Sequence, residues 1–129
     1  MAIKRIFGYA AEFNSADSHF YIPISIRYEG RVLNADFLLD TGATKCSIPL
    51  TVNKEILKLP ITGTDRAIQI AGGRASYNYV RLERLEIPDT RLFAMEVDAW
   101  LADDFILGMN FLSKFSFKVT KASKLIIEK

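Results

Sequence analysis

Cysteine and histidine each occur once, as Cys46 and His19, and this scarcity excludes several kinds of protein. A single cysteine cannot form an intrachain disulfide, so the chain is not a small disulfide-stabilised domain. One cysteine and one histidine also cannot supply the four ligands of a usual structural zinc site. We therefore expect neither a bound metal nor another cofactor.

A large excess of one charge is missing as well, because 17 Lys and Arg stand against 15 Asp and Glu. This balance is not typical of proteins that follow a phosphate backbone, so nucleic acid is not an expected partner. No apolar run is long enough for a signal peptide or a membrane span, and the chain has no linker, repeat or low-complexity stretch. The sequence predicts a soluble, cytoplasmic protein without a membrane partner.

Alternating apolar residues are abundant and predict a domain built mainly of strands. Residues 20–28 place Ile22, Ile24 and Ile26 on one face, and residues 31–39 continue the alternation after a turn. Further strand signals lie at residues 66–70, 76–87, 93–97, 117–119 and 125–127, with a short helix at 109–115. The sequence thus predicts one all-β domain over residues 1–129, a barrel or sandwich with one or two short helices.

The middle of the chain predicts a second hairpin. Residues 66–70 and 76–87 flank a tight reversal at residues 71–74, whose two glycines tolerate a positive φ. Within the second of these strands the apolar alternation changes phase between Leu82 and Leu85. This change predicts either a β-bulge or a strand that switches the face it buries.

Two short motifs carry the functional signal. Asp-Thr-Gly at residues 40–42 follows two leucines at the end of the first hairpin, and Ile-Leu-Gly at residues 106–108 precedes the predicted helix. A given tripeptide arises by chance about once in several thousand positions, so the first motif alone decides nothing. The alternative interpretation is an ordinary turn in which Asp40 accepts local backbone hydrogen bonds.

Together the two motifs resemble those of the retropepsin-like aspartic proteases, the single-domain relatives of pepsin, and especially their small bacterial and archaeal members. The resemblance covers residues 20–115 and implies a closed β-barrel of the acid protease fold. It also implies that the Asp-Thr-Gly loop lies at the bottom of a cleft and that the hairpin around residues 71–74 closes over substrate as a flap. The glycine of the late motif lets another strand pass close by in that family.

The chemistry of that family requires two carboxyl groups that share a proton, one to activate water and one to donate a hydrogen bond to the scissile carbonyl. Neither Asp89-Thr90 nor Asp103-Asp104 is followed by the necessary glycine. The resemblance therefore implies a homodimer in which Asp40 of one subunit faces Asp40 of the other. Such an endopeptidase would cleave peptides or proteins under mildly acidic conditions and bind pepstatin.

The resemblance also assigns roles by position. The catalytic motif is Asp40, Thr41 and Gly42, in which Thr41 bonds across the dimer axis and Gly42 leaves its backbone free to approach substrate or Asp40. The expected substrate-binding residues are Ala43, Thr44, Ile48, Ile70, Ala71, Gly72, Gly73 and Ile106. The structural motif is Ile106, Leu107 and Gly108. Residues 1–18 and 116–129 are candidate interface strands or terminal extensions.

Three alternatives stay open. Cys46 is close enough in sequence to Asp40 to suggest a nucleophile, but lone cysteines are usually buried small hydrophobic residues and His19 is far along the chain. In the second alternative, the chain is a dimerisation or peptide-binding module with little or no proteolysis. In the third alternative it is a monomer that needs a partner domain.

Overall fold

Most of the regular structure is β. The computed structural model describes residues 3–6, 8–68 and 73–129. The strands are β1 (Ile3–Ile6), β2 (Ala10–Asn14), β3 (Tyr21–Tyr28), β4 (Arg31–Leu39), β5 (Cys46–Pro49), β6 (Ile61–Ile68), β7 (Arg74–Glu86), β8 (Phe93–Ala102), β9 (Ile106–Leu107), β10 (Ser116–Val119) and β11 (Lys124–Glu128). The helices are α1 (Leu50–Val52), which continues as a π-helical turn (Asn53–Leu57), and α2 (Met109–Leu112). None of the helices in these ranges is long and apolar enough to cross a membrane.

Six of the strands close into a barrel, which confirms the predicted fold class. Their order is β3-β4-β9-β5-β8-β7, and β7 returns to β3 through the pairs Ser25↔Glu86 and Ile26↔Leu85. Strand β6 pairs with the first half of β7 and forms the predicted central hairpin. The barrel therefore uses one half of β7 and the hairpin uses the other.

The core fills the barrel with the residues that the alternation predicts. Ile22, Ile24 and Ile26 of β3 are fully buried, as is Phe37 of β4. Burying one aliphatic or aromatic side chain of this size contributes about 1.5–3 kcal/mol, so the alternation fixes which face of each strand points inward.

The terminal segments form a second sheet with the order β1-β2-β11-β10. Its inner face contributes Phe13, Leu125 and Ile127, all fully buried. Strand β10 is an edge of this sheet, and its last residue, Val119, is 60% exposed. Much of residues 1–18 and 116–129 is therefore ordered against the rest of the same chain.

The phase change in β7 is a change of buried face without a change of register. Leu82 and Leu85 are both fully buried, and the pairing of β7 with β8 keeps one register on either side of them. On β8 the break falls at Glu96, which has a φ of 54°. Both strands therefore switch faces together, and the second of the two predicted alternatives is confirmed.

Candidate active site

Asp40 lies where the chain leaves the barrel at the end of β4. Its N–H donates a 3.0 Å hydrogen bond to the carbonyl of Leu107, which continues the parallel pairing of β4 with β9. The side chain is exposed, and the N–H of Gly42 donates a 2.9 Å hydrogen bond to its Oδ1 atom. The main chain of Asp40 is thus fixed by the barrel while its carboxylate stays accessible.

The loop after Asp40 rests directly on the backbone of the late motif. The N–H of Met109 donates to the carbonyl of Ala43 at 2.8 Å, and the N–H of Asn110 donates to the carbonyl of Thr44 at 3.1 Å. A Cβ atom on Gly108 would lie 2.4 Å from the carbonyl oxygen of Lys45 and 2.9 Å from that of Ala43. Only glycine allows these two backbones to approach so closely, as the resemblance implies.

Asn110 holds this arrangement from the side. Its Oδ1 accepts a 2.9 Å hydrogen bond from the N–H of Cys46, and its Nδ2 donates a 2.7 Å hydrogen bond to the carbonyl of Asp98. One amide therefore joins α2 to both β5 and β8. This role of Asn110 is not predicted from the sequence, because an asparagine within a short predicted helix gives no indication of distant backbone partners.

The surroundings of Cys46 make its thiol unreactive. Its side chain is fully buried beneath the loop, where its Sγ accepts a hydrogen bond from the N–H of Gly108 at 3.4 Å. Burial raises the pKa of the thiol to about 11. A protonated, inaccessible thiol is not a nucleophile, so this geometry argues against catalysis by Cys46.

An open groove of about 240 Å³ runs past Asp40. Its walls include Ala43 and Ile106, which the sequence analysis expects to contact substrate, and also Lys45, Tyr77 and Trp100. Asp103 and Asp104 border the same groove. An exposed carboxylate beside a partly apolar groove is an arrangement that can bind an extended peptide and present it to an acid or base.

The remaining expected site residues are distributed unevenly. Thr41 and Gly42 are exposed beside Asp40, and within the described chain no side-chain hydrogen bond joins Thr41 to another residue. Thr44 is exposed and contributes its carbonyl to α2. Gly73 is exposed and lies directly before β7. Three expected residues lie outside the described residues: Ile70, Ala71 and Gly72.

Ile48 does not lie where a substrate-binding residue is expected. It is fully buried among the core residues and does not line the groove. On the short strand β5 it is Ser47 that borders the groove, and its hydroxyl donates a 2.8 Å hydrogen bond to the carbonyl of Asp104. Since adjacent residues of a strand point to opposite faces, Ile48 turns into the barrel.

A group of five residues beside the groove was not predicted, and we name it the Lys45 cluster: Lys45, Asp65, Tyr77, Tyr79 and Trp100. The ammonium of Lys45 forms an ion pair with Asp65 and lies 4.1 Å from the centre of the Tyr79 ring. The indole Nε1 of Trp100 donates a 2.9 Å hydrogen bond to the same oxygen of Asp65 that Lys45 contacts. Tyr77 stacks on Trp100 with ring centres 5.6 Å apart.

These contacts affect the charge on Asp65. Hydrogen bonds from Lys45, and to a lesser extent from Trp100, hold the pKa of Asp65 below its ordinary value of 3.8. The cluster therefore contains a fixed pair of opposite charges, with Asp65 supplied by the hairpin strand β6 and Lys45 supplied by the loop after Asp40.

Among the residues that the structure describes, no three His, Cys, Asp or Glu side chains gather closely enough to hold a metal ion. The chemistry available at this site is that of carboxyl groups, the ammonium of Lys45 and backbone donors.

Comparisons with known proteins agree with this geometry. The family model described as "Aspartyl protease" matches residues 24–111, well over half of the chain, and this range includes both motifs. The structure is similar to that of a retropepsin-like aspartic protease from Rickettsia conorii, with a TM-score of 0.64 and 19% identity over 98% of this chain and 94% of that chain. A comparison with curated proteins found no match. The chain has the retropepsin-like fold and belongs to the aspartyl protease family.

Proposed function

We propose that this chain is an aspartic endopeptidase that works as a homodimer, with Asp40 of each subunit supplying one carboxyl group. The observation that carries the proposal is the accessible carboxylate of Asp40, held on a backbone-fixed loop at the side of an open groove. Membership of the aspartyl protease family supports this chemistry.

The proposed reaction needs one carboxylate and one carboxylic acid. The carboxylate takes a proton from water, which attacks the scissile carbonyl, while the acid donates a hydrogen bond to the carbonyl oxygen. Two carboxyl groups a few ångströms apart cannot both ionise cheaply, so they share one proton over the acidic pH range. The dyad is expected to titrate as a unit.

The partner carboxylate is best supplied by a second copy of the chain. Asp103 and Asp104 border the groove, but they lie on the short turn between β8 and β9 and lack the hydrogen-bonded loop that surrounds Asp40. A two-fold axis beside Asp40 would bring two identical, equally braced loops together. Thr41, exposed beside Asp40, is then the residue that bonds across the axis.

The proposed substrate is an extended peptide that lies between the groove and the β6–β7 hairpin, which acts as a flap. Extended peptides are bound mainly through their backbone, with alternate side chains entering pockets. Ala43 and Ile106 would contact substrate from the floor.

The decisive experiment is digestion of a proteome-derived peptide library across a range of pH. We expect cleavage by the unaltered chain and none by Asp40→Asn, whose amide oxygen can still accept the hydrogen bond from Gly42. Asp104→Asn is the matched control, because it removes another exposed carboxylate of the same groove. Equal cleavage by the Asp40→Asn variant would overturn the proposal, and a chain that binds peptides without cleaving them would be a binding module.

Subunit mixing tests the shared dyad. If Asp40→Asn subunits are mixed in equal amounts with unaltered ones and exchange freely, only about a quarter of the dimers hold two aspartates. Activity per unaltered subunit should then fall by about half, whereas an active site contained within one subunit would lose nothing.

We propose that the dimer contact includes β10. This strand is a sheet edge, follows α2 directly and ends at the exposed Val119. Val119→Lys should weaken self-association in sedimentation experiments, because it places an ammonium in the proposed contact. Val32→Lys is the control, since Val32 is 44% exposed and lies on β4 towards the end remote from Asp40. Equal self-association of the two variants would exclude β10.

A further inference from the structure

The groove is bordered by the carboxylates of Asp40, Asp103 and Asp104 and by the ammonium of Lys45. Lys45 lines the groove beside the apolar walls Ala43 and Ile106, and its ammonium is paired with Asp65, which does not line the groove. The side chains of Lys45 and Asp65 are 25% and 30% exposed. The ion pair is thus partly shielded from water, so its charges act on a bound peptide more strongly than fully exposed charges would.

We infer that Lys45 is a specificity-determining residue of the groove and that Asp65 positions and neutralises it, so that an acidic side chain of a bound peptide gains little attraction at the wall formed by Lys45. This inference rests on the proposed peptidase function.

The ammonium of Lys45 has a fixed position. Lys45 has a long flexible side chain, but here its Nζ lies over the Tyr79 ring and against the Asp65 carboxylate. Gly63 makes room for this placement, because a Cβ atom there would lie 2.5 Å from the hydroxyl oxygen of Tyr79. The cation therefore has one defined place at the wall of the groove.

The neutralising carboxylate of Asp65 is also held in a fixed position. Asp65 accepts hydrogen bonds from both Lys45 and the indole of Trp100, and Trp100 is itself stacked on Tyr77. Its lowered pKa keeps Asp65 ionised under the mildly acidic conditions in which an aspartic dyad works. The pair thus stays neutral as a whole while the enzyme acts.

A bound peptide meets the paired charges and the aromatic rings at this wall of the groove. A lone ammonium at this wall would attract the carboxylate of a Glu or Asp side chain. With Asp65 in contact with the ammonium, the two opposite charges largely cancel at the groove, and little net attraction for an acidic side chain remains. The rings of Tyr77 and Trp100 then offer a flat apolar surface to a neutral side chain.

The test compares peptides that differ at one residue near the scissile bond. A peptide that the unaltered chain cleaves is synthesised with Gln, Glu or Lys at each flanking position, and kcat/KM is measured. For Asp65→Asn we expect the Glu-to-Gln ratio to rise about fivefold or more at one position, because the ammonium is no longer neutralised. For Lys45→Met the Lys-to-Gln ratio should rise at the same position.

Two further variants separate charge from structure. In Lys45→Met combined with Asp65→Asn, both ratios should return to those of the unaltered chain. Asp98→Asn removes the carboxylate of the 3.2 Å Arg81–Asp98 ion pair, which lies outside the groove, and should change neither ratio. Asp65→Asn retains an oxygen acceptor for the indole of Trp100. If Asp65→Asn nevertheless folds poorly, Lys45→Met tests the same charge pair through the Lys-to-Gln ratio.

The outcomes are distinct. If the unaltered chain cleaves peptides but neither ratio changes in the single variants, the inference is overturned and the proposed function stands. A uniform loss of cleavage of Gln, Glu and Lys peptides means a merely structural role and also overturns it. If the unaltered chain cleaves nothing, the proposed function fails and the inference fails with it.

Discussion

The Asp40 loop and the β6–β7 hairpin are held by different kinds of contact. The loop is fixed by backbone hydrogen bonds to Leu107 and to α2, and by the close approach of Gly108. The base of the hairpin is joined to the same loop by side chains, through the Lys45 cluster. Backbone contacts leave no freedom to adjust, whereas side chains can move. Substitutions should therefore be severe in the loop and graded in the hairpin.

The strongest test of this comparison is Gly108→Ala. The new Cβ would meet the backbone carbonyls of Lys45 and Ala43, and that of Ala43 cannot withdraw without breaking its hydrogen bond from the N–H of Met109. We expect a loss of about 3 kcal/mol or more in the free energy of unfolding, measured with urea.

Gly30→Ala is the control for Gly108→Ala. Gly30 has a φ of 77° but nothing within 4 Å of an added Cβ. This substitution strains the backbone without a clash and should cost about 1 kcal/mol. If Gly108→Ala costs no more than Gly30→Ala, the close backbone approach is not what stabilises the loop.

Asn110→Ala should have the next largest effect. It leaves the N–H of Cys46 and the carbonyl of Asp98 without their partner, at a cost of about 2 kcal/mol in unfolding free energy. Asn78→Ala is the control and should cost much less, since its side chain only accepts an exposed 2.8 Å hydrogen bond from the hydroxyl of Thr64. Equal losses in the two variants would mean that the Asn110 amide is not a structural brace.

Gly63→Ala tests whether the side-chain contacts of the β6–β7 hairpin can adjust to a substitution. Its methyl group would displace the Tyr79 ring rather than backbone, so we expect a loss of about 1 kcal/mol. In a Tyr79→Ala background the same substitution should cost almost nothing, because the obstructing ring is gone. A double-mutant cycle by urea unfolding measures this difference. Equal costs in both backgrounds would show that the Tyr79 ring is not the obstacle.

The smallest expected effect is the pH dependence that Asp65 contributes. Its folded-state pKa lies below the ordinary 3.8, because of the hydrogen bonds from Lys45 and Trp100. A carboxyl group with a lowered pKa contributes its stability in full above 3.8 and loses it as the pH falls through the folded-state value. The difference in Tm between the unaltered chain and Asp65→Asn should be constant near neutral pH and shrink below 3.8. A difference that grows on acidification would contradict this assignment.

The two regions also differ in how much of them the sequence predicts. The residues of the loop are restricted by backbone geometry, since only glycine fits at position 108, and such restrictions appear as short motifs. The Lys45 cluster joins residues that are 20 and 35 positions apart, so no local pattern reveals it. The alternation predicts most strands of the barrel but not β1 or β2 of the second sheet. Ile48 is assigned to the groove by position alone; the first three residues of the four-residue strand β5 are all buried, so no alternation shows which of them faces the groove. The positive φ at Glu96 is not predictable from the sequence, because glycine, the residue that usually indicates this conformation, does not occupy the position.

Cys46 gives the protein a built-in reporter of its own motion. It is the sole thiol of the chain, and it is sealed beneath the Asp40 loop and protonated. An alkylating reagent reacts with the thiolate, so modification of Cys46 requires an opening of the structure that exposes the thiol. The labelling rate of the unaltered chain thus measures how often that opening occurs. This opening rate can be measured without introducing a probe.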